Sequence, residues 1–411
     1  MTERRLNVRV LICGAGIAGL ALAQRLATHG AEVTVLEKAS GPRASGYMID
    51  FFGPGYDAAE AMGVLPRILQ LGYHIDEVAY CDARGRRRTG FRYDRFAKAS
   101  GGRVTSVMRP DLERALREHV PEQVDLRYGR TISAVDNRPD GVRVTLDDGS
   151  DLAGDLLVGC DGVHSVVRAL AFASEAWSVR YLGFHTAAFS FFDAAAHAEI
   201  GGRFCMTDSL HRAMGFYGLR DGKVAVFAVH PARDSELPHD ARLELRRQYG
   251  GLGWIAPRAL AACPPADELY YDQVAQVVMP SWSRGRVALL GDAAYAVSLL
   301  AGQGAALAVA GAYVLGEHLA EAPSMDAALA GYERMLRPVV LDKQATARKA
   351  VRWFVPSTRS QLWLRRAAFA AARLPVADRL VAASLVGKPS AVIAELAGGT
   401  ASRPTTTEPP L

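Results

Sequence analysis

The stretch from Val8 to Glu37, VRVLICGAGIAGLALAQRLATHGAEVTVLE, constrains this chain more than any other. Val8 to Ile12 has the β-branched, apolar composition of a buried strand. It breaks into Gly14-Ala15-Gly16-Ile17-Ala18-Gly19, after which Leu20 to His29 reads as a helix closed by Gly30. Val33 to Leu36 is a second apolar strand and stops at an acid, Glu37. Each part has a physical purpose. Gly14 permits a tight turn, Gly16 lets backbone approach a pyrophosphate, and Gly19 lets helix and strand pack closely. Ile17 and Ala18 open the helix, whose N–H groups and partial positive charge favour phosphate. Glu37 can accept hydrogen bonds from a ribose diol, with Lys38 beside it. The reading is a site for the ADP half of a dinucleotide, and NAD and FAD fit this stretch equally.

With 411 residues, half of them hydrophobic, the chain can build two or three structural units around a large core. A net charge of +5 is mild, and the one basic cluster, Arg84 to Arg88, reads as a hairpin turn, so no nucleic-acid partner is expected. Five scattered cysteines (Cys13, Cys81, Cys160, Cys205, Cys263) form no CxxC pair. They point to a reducing, cytoplasmic setting without a bound metal. No signal peptide is expected ahead of the first strand, and no uncharged apolar run reaches the ~18 residues of a membrane span.

Downstream, a Gly- and Pro-rich segment contains Arg43, which could reach phosphate or ribose, and leads to a helix at Tyr56–Met62. Residues 76–101 read as a hairpin excursion turning at Arg84-Gly85. Arg109-Pro110-Asp111 opens a helix ending near His119, Pro110 suiting its first position, and Arg109 is a candidate anion contact. Strands at Asp125–Tyr128, Thr131–Asp136 and Val142–Leu146 read as a meander. Leu156–Gly159 is a buried strand followed by an Asp161-Gly162 turn and a helix from Ser165. From 173 to 280 the pattern becomes turn-separated strands with a helix at Asp240–Tyr249. The chain then returns with a strand at Arg286–Leu290, a Gly-rich bend and long helices.

The predicted architecture is therefore α/β (α+β): a discontinuous Rossmann-like dinucleotide-binding domain (1–75, 102–172 and 281–350), with an inserted, mostly antiparallel substrate lobe (76–101 and 173–280). C-terminal helices (351–398) and a disordered tail (399–411) follow.

Three separated segments carry a family resemblance: GAGIAG with Glu37, CDGVHSVVR around Asp161-Gly162, and LLGDAAYAVSLLAGQG around Asp292. In order and spacing, over roughly residues 6 to 350, they resemble the fingerprints of the para-hydroxybenzoate hydroxylase-like, FAD-dependent aromatic hydroxylases. That family includes tetracycline-inactivating monooxygenases. The resemblance implies that Gly14, Gly16 and Gly19 hold the ADP half of FAD, and that Glu37 binds its ribose. It implies that Arg109 approaches the flavin phosphate or ribitol, and that Asp161 and Gly162 serve both FAD and NAD(P)H. Asp292 would bind ribitol, and Gly302, Gly304 and Ala305 would lie under the isoalloxazine ring. Asp161 is also placed to cap the helix near Ser165.

The implied reaction uses NAD(P)H and O2 to oxygenate an aromatic or polyketide-like small molecule through a flavin hydroperoxide. No obligatory catalytic side chain stands out. The expected pocket combines Phe189, Phe191, Phe204, Met214 and Phe216 of the second lobe with Leu299 and Leu300, although the same residues suit ordinary core. His185, Arg203 and His211 are possible polar contacts. Many members carry a proline in the loop after the aspartate, whereas AVSLLAGQG has none. That departure keeps a flavin-dependent dehydrogenase or cyclase in view, and a non-catalytic flavin-binding protein is a separate third reading. A monomer or homodimer is expected.

Overall fold

The computed structural model describes residues 6–42, 46–172, 178–299, 302–371 and 392–401. Its first sheet has six strands in the order Ser283–Arg284, Val287–Leu289, Leu156–Gly159, Arg9–Cys13, Glu32–Glu37 and Asp125–Tyr128. All neighbours pair in parallel except the first two. Asp125–Tyr128 thus joins the parallel sheet beside Glu32–Glu37, whereas the sequence reading places it in the meander. Only Ile132–Arg138, Gly141–Leu146 and Asp151–Gly154 form that antiparallel unit. The strand at Asp125 alternates partly buried with exposed residues, so its pattern does not announce a parallel sheet.

The three motifs follow three neighbouring strands of this sheet. Arg9–Cys13 runs into Gly14, Leu156–Gly159 into Asp161, and Val287–Leu289 into Gly291 and Asp292. Parallel pairing brings their carboxyl ends side by side, which is where open α/β sheets bind ligands. The helices Ile17–Thr28 and Gly304–Glu321 pack against the sheet and one another, and almost all their apolar residues are buried.

The second lobe is a seven-stranded sheet: Tyr270–Val277, Val179–Phe192, Lys223–Pro231, Ala213–Gly218, Arg203–Thr207, Glu77–Cys81 and Arg87–Arg92. Every pair is antiparallel except Arg203–Thr207 with Glu77–Cys81. One face is covered by helices Ala194–Ile200, Ala241–Tyr249 and Ala256–Ala261. The other looks toward the first lobe. A short antiparallel pair, Met48–Phe52 with Val104–Met108, lies at the junction, and the Met48 N–H donates to the Tyr217 hydroxyl at 2.5 Å.

Two further details differ from expectation, while Met325–Phe354 is a single helix that runs through Pro338. Tyr93–Ala99 is a helix inside the hairpin excursion. The last helix, Val392–Ala401, includes residues 399–401 of the expected tail, the rest of which lies outside the described residues. Among the described residues no helix is long and apolar enough to cross a membrane.

Candidate cofactor and substrate site

The first turn is built as its glycines require. Gly14 has φ +106°, and a β-carbon on it would meet the Cys160 carbonyl oxygen at 2.6 Å. A β-carbon on Gly19 would lie 1.9 Å from the Gly14 carbonyl oxygen, so strand and helix approach to backbone contact. A β-carbon on Gly16 would meet nothing within 4 Å. The first two glycines are demanded by protein packing, whereas Gly16 faces open space.

Two helix N-termini converge on that space. The helix Ile17–Thr28 starts at Gly16 and Gly304–Glu321 starts at Gln303, neither with a side-chain cap. Their leading N–H groups therefore retain donor capacity. The two starts are neighbours: a β-carbon on Gly291 (φ +66°) would touch Ala18 at 2.9 Å and Ala308 at 3.6 Å. A ligand spanning this region would meet two positive dipole ends at the carboxyl edge of a parallel sheet. Glu37 accepts from the Ala15 N–H at 2.8 Å through Oε2 and from the Ala39 N–H at 2.9 Å through Oε1. An ionised carboxylate has about four acceptor positions, so these bonds orient Glu37 and leave capacity for a diol. Lys38 is exposed next to it.

Asp161 is engaged locally. Its Oδ1 accepts from Ser165 Oγ at 2.5 Å, and its Oδ2 from the N–H groups of Val166 and Val167 at 2.7 and 3.1 Å. It caps the helix Val166–Phe172, and Gly162 turns beside it at φ +83° with open space above.

Asp292 is the opposite case. Its side chain opens into a recess of the protein, and among the described residues no backbone or side-chain donor hydrogen-bonds to it. Loss of surrounding water pushes its pKa up, Arg109 pulls it down, and Asp272 adds to the rise. Arg109 opens the helix Arg109–Glu118 and lies 3.4 Å from Glu113. Burial works against its charge, but Glu113, Tyr47, Tyr270 and Asp292 outweigh that and raise its pKa. Tyr47 is pushed up to about 12, chiefly by burial, and stays a neutral hydroxyl. A carboxylate and a guanidinium thus face one recess between aromatic rings. Gly302 (φ +64°) has open space above it, a β-carbon on Gly304 would lie 3.4 Å from Asp292 Oδ1, and Ala305 follows, half-buried.

These features fit FAD: an open backbone cradle with uncapped helix ends for the pyrophosphate, an oriented acid for the ribose, and an unengaged carboxylate where polyol hydroxyls would supply partners. Arg43 and Leu300 lie outside the described residues. Among the described residues no cluster of side chains is arranged to hold a metal ion.

The substrate wall corrects the sequence reading. Phe189, Phe191, Met214 and Phe216 are buried with Leu245, Tyr249 and Ile255 under the covering helices. They are core, on the face turned away from Arg109. The opposite face is fixed by register: Ala188 pairs with both Phe227 and Tyr270, and Thr186 with Asp272. Tyr270 and Phe227 meet Tyr47 across the junction at ring separations of 5.6 and 6.3 Å. Of the five second-lobe candidates only Phe204 is on this face, against Tyr217 at 5.5 Å. A β-carbon on Gly215 would strike Phe204 and Met206. Leu299 is half-buried in the loop after Asp292. Tyr47, Tyr217, Phe227, Tyr270 and Asp272 are absent from the sequence-derived set. Strand alternation in LYYDQVAQV marks Tyr270 and Asp272 as sharing a face without saying which face.

The polar candidates disperse. His185 is buried on the covered face, its Nδ1 3.3 Å from the Tyr271 hydroxyl. Arg203 donates to the carbonyls of Ile200 and Glu199. The His211 N–H donates to the Pro356 carbonyl at 2.9 Å, and His211 adopts φ +59°.

Residues 7–342 match the FAD binding domain family. A flavin-dependent monooxygenase from an unknown prokaryotic organism is 31% identical over 348 residues, covering 82% of this chain and 88% of its own. The chain belongs to the FAD-binding, flavin-dependent monooxygenase family. This monooxygenase is similar in structure to tetracycline destructase Tet(55), with TM-score 0.77 and 26% identity over 89% of this chain and 96% of the other. It is also similar to Klebsiella pneumoniae HpxO complexed with FAD and uric acid, with TM-score 0.74 and 25% identity over 91% and 97% of the two chains. The family expected from the three motifs is the family found, and its dinucleotide is FAD.

Proposed function

We propose that this FAD-dependent monooxygenase takes electrons from NAD(P)H and oxygen from O2 to hydroxylate a flat, largely apolar aromatic or polyketide-like molecule. The observation that carries this reading is the aromatic face of the second lobe, Phe204, Tyr217, Phe227 and Tyr270 with Tyr47, set opposite the recess of Arg109 and Asp292. Bound FAD supplies the redox chemistry. Gly16, Ile17 and Ala18 hold its pyrophosphate on the turn that Gly14 and Gly19 close, and Glu37 holds its adenosine ribose. Asp292 orients the ribitol, while Arg109 balances charge near the reactive end. Asp161 shapes the neighbouring turn by capping its helix, and Gly162 leaves room for the dinucleotide. Gly304 and Ala305, at the uncapped start of their helix, present backbone N–H groups to the ring, Gly302 turns beside them with its own N–H given to the Leu299 carbonyl, and Leu299 helps the aromatic wall exclude water. The hydroxyls of Tyr47 and Tyr270, kept neutral by burial, are placed to hydrogen-bond a substrate carbonyl or phenol. Five free, buried thiols agree with a cytoplasmic setting.

The test is substrate-dependent NAD(P)H oxidation by purified protein under isotopically labelled O2. The expected result is label in the product. Product formed equally well without oxygen would replace this reading with a dehydrogenase or cyclase.

A further inference from the structure

Ser298 has φ +119° and is only 5% exposed. Side-chain-bearing residues seldom occupy that region, and the conformation persists only where the surroundings impose it. The segment from Gly291 to Gln303 contains no proline to stiffen it. The restraint comes from elsewhere in the fold. The Ala296 carbonyl accepts from the Val277 N–H at 3.1 Å and from Gln344 Nε2 at 3.1 Å, and the Val297 carbonyl accepts from Gln276 Nε2 at 2.8 Å. The last two carbonyls before Ser298 are therefore both gripped by side-chain amides.

The two amides form a closed set. Gln276 Nε2 also donates to the Gln344 carbonyl at 2.9 Å, and Gln344 Nε2 to the Val277 carbonyl at 2.7 Å. Each primary amide has two N–H donors, and all four are engaged. Arg348 Nη1 donates to Gln276 Oε1 at 3.0 Å. Gln276 is fully buried and Gln344 is 2% exposed. Burying a primary amide is costly unless its hydrogen bonds are made, and an aliphatic side chain would fill the volume without that cost. What an aliphatic chain cannot do is fix two successive carbonyls. Gln276 also lies on the strand that carries Tyr270 and Asp272, and Gln344 on the helix Met325–Phe354. The set ties the substrate wall and the long helix to the loop after Asp292.

We infer that Gln276 and Gln344 are positioning residues: they hold Ala296, Val297 and Ser298, between Asp292 and Gly302, in a fixed orientation toward the flavin. The inference rests on the placement of FAD given above. It supplies the rigidity that this loop, lacking a proline, does not have by itself.

The test compares Gln276→Leu, Gln344→Leu and Arg348→Met with the unmodified full chain. In flavin-free protein, amide exchange over residues 296–299 and 302–304 should accelerate about tenfold in the two leucine variants, with exchange over Arg9–Thr28 unchanged. With FAD bound, the flavin midpoint potential should shift and FAD affinity should fall by about tenfold. Arg348→Met keeps both amides and frees only Gln276 Oε1. It should move every readout in the same direction by roughly two- to threefold, and it decides the matter if a leucine variant does not fold. Unchanged local exchange and unchanged flavin potential in folded variants would overturn the inference, as would faster exchange spread evenly over the chain. The exchange experiment needs no flavin, so it separates a failure of the amide set from a failure of the FAD placement.

Discussion

Gly19 sits so close to Gly14 that a β-carbon on it would lie 1.9 Å from the Gly14 carbonyl oxygen, while Gly16 between them has nothing within 4 Å of the same position. The two glycines should therefore respond differently to one methyl group. Gly19→Ala must push the first helix off its strand and is expected to lower the melting temperature and abolish FAD binding together. Gly16 has φ −80°, which alanine adopts freely. Gly16→Ala should fold with a nearly unchanged melting temperature yet bind FAD at least roughly tenfold more weakly, because its methyl group enters the cofactor's space. Melting curves with flavin-fluorescence titrations check both. Equal loss of stability in the two variants would contradict this division.

The two faces of the large sheet give a second contrast. Phe189 is 1% exposed among residues of the covering helices, so Phe189→Ala leaves a cavity costing about 3–5 kcal/mol. Its effect on substrate selection should be small at temperatures where the variant stays folded. Phe227 lies on the opposite face against Tyr47. Phe227→Ala should cost less stability and raise KM for accepted substrates by about tenfold, the loss of one aromatic contact. Denaturant melts and steady-state kinetics on both variants would decide it.

These contrasts show what was readable beforehand. Gly14, Asp161 and Asp292 stand out because each follows an apolar strand, and parallel pairing then places them together. The substrate wall was not readable in the same way. A two-residue period sorts a strand into two faces, but here both faces are apolar: Phe189 and Phe191 on one, Phe204 and Phe227 on the other. Only helices distant in sequence decide which face is core. Tyr47 follows a Gly-rich stretch without periodicity, and Gln276 and Gln344 look like ordinary polar positions until folding brings them together across 68 residues.

Asp208 anchors the helix Arg359–Ala371. Its carboxylate is fully buried and pairs with Arg365 at 3.0 Å and Arg366 at 2.7 Å, while the Arg365 guanidinium lies over the Tyr80 ring at 4.5 Å. Breaking this buried pair by removing the acid costs about 3–5 kcal/mol. Asp208→Ala should loosen that helix first and make it a preferred site of limited proteolysis. The FAD affinity of the first lobe should be retained. A cleavage pattern identical to that of the unmodified protein would refute the anchoring role.

His185 and His230 pair directly across two strands, their rings 5.9 Å apart, and are 4% and 1% exposed. Tyr249 and Tyr271 hydrogen-bond to the pair, and Glu244, Arg247, Asp234 and Asp272 contribute to its field. Burial lowers both pKa values, and that of His230 falls from 6.5 to about 4, the neighbouring His185 adding to the fall. A histidine held below its unfolded pKa binds its proton more readily in the unfolded chain. Its contribution is therefore fully present above pH ~6.5 and is lost as pH drops toward ~4, a difference for His230 on the order of 3 kcal/mol. Melting temperature should fall steeply between pH 6.5 and pH 4 in the unmodified protein. His230→Gln, which cannot be protonated in that range, should melt lower at neutral pH but with a visibly shallower dependence on acid. The measurement is a melting series at constant ionic strength, and parallel slopes for the two proteins would show that the acid sensitivity arises elsewhere.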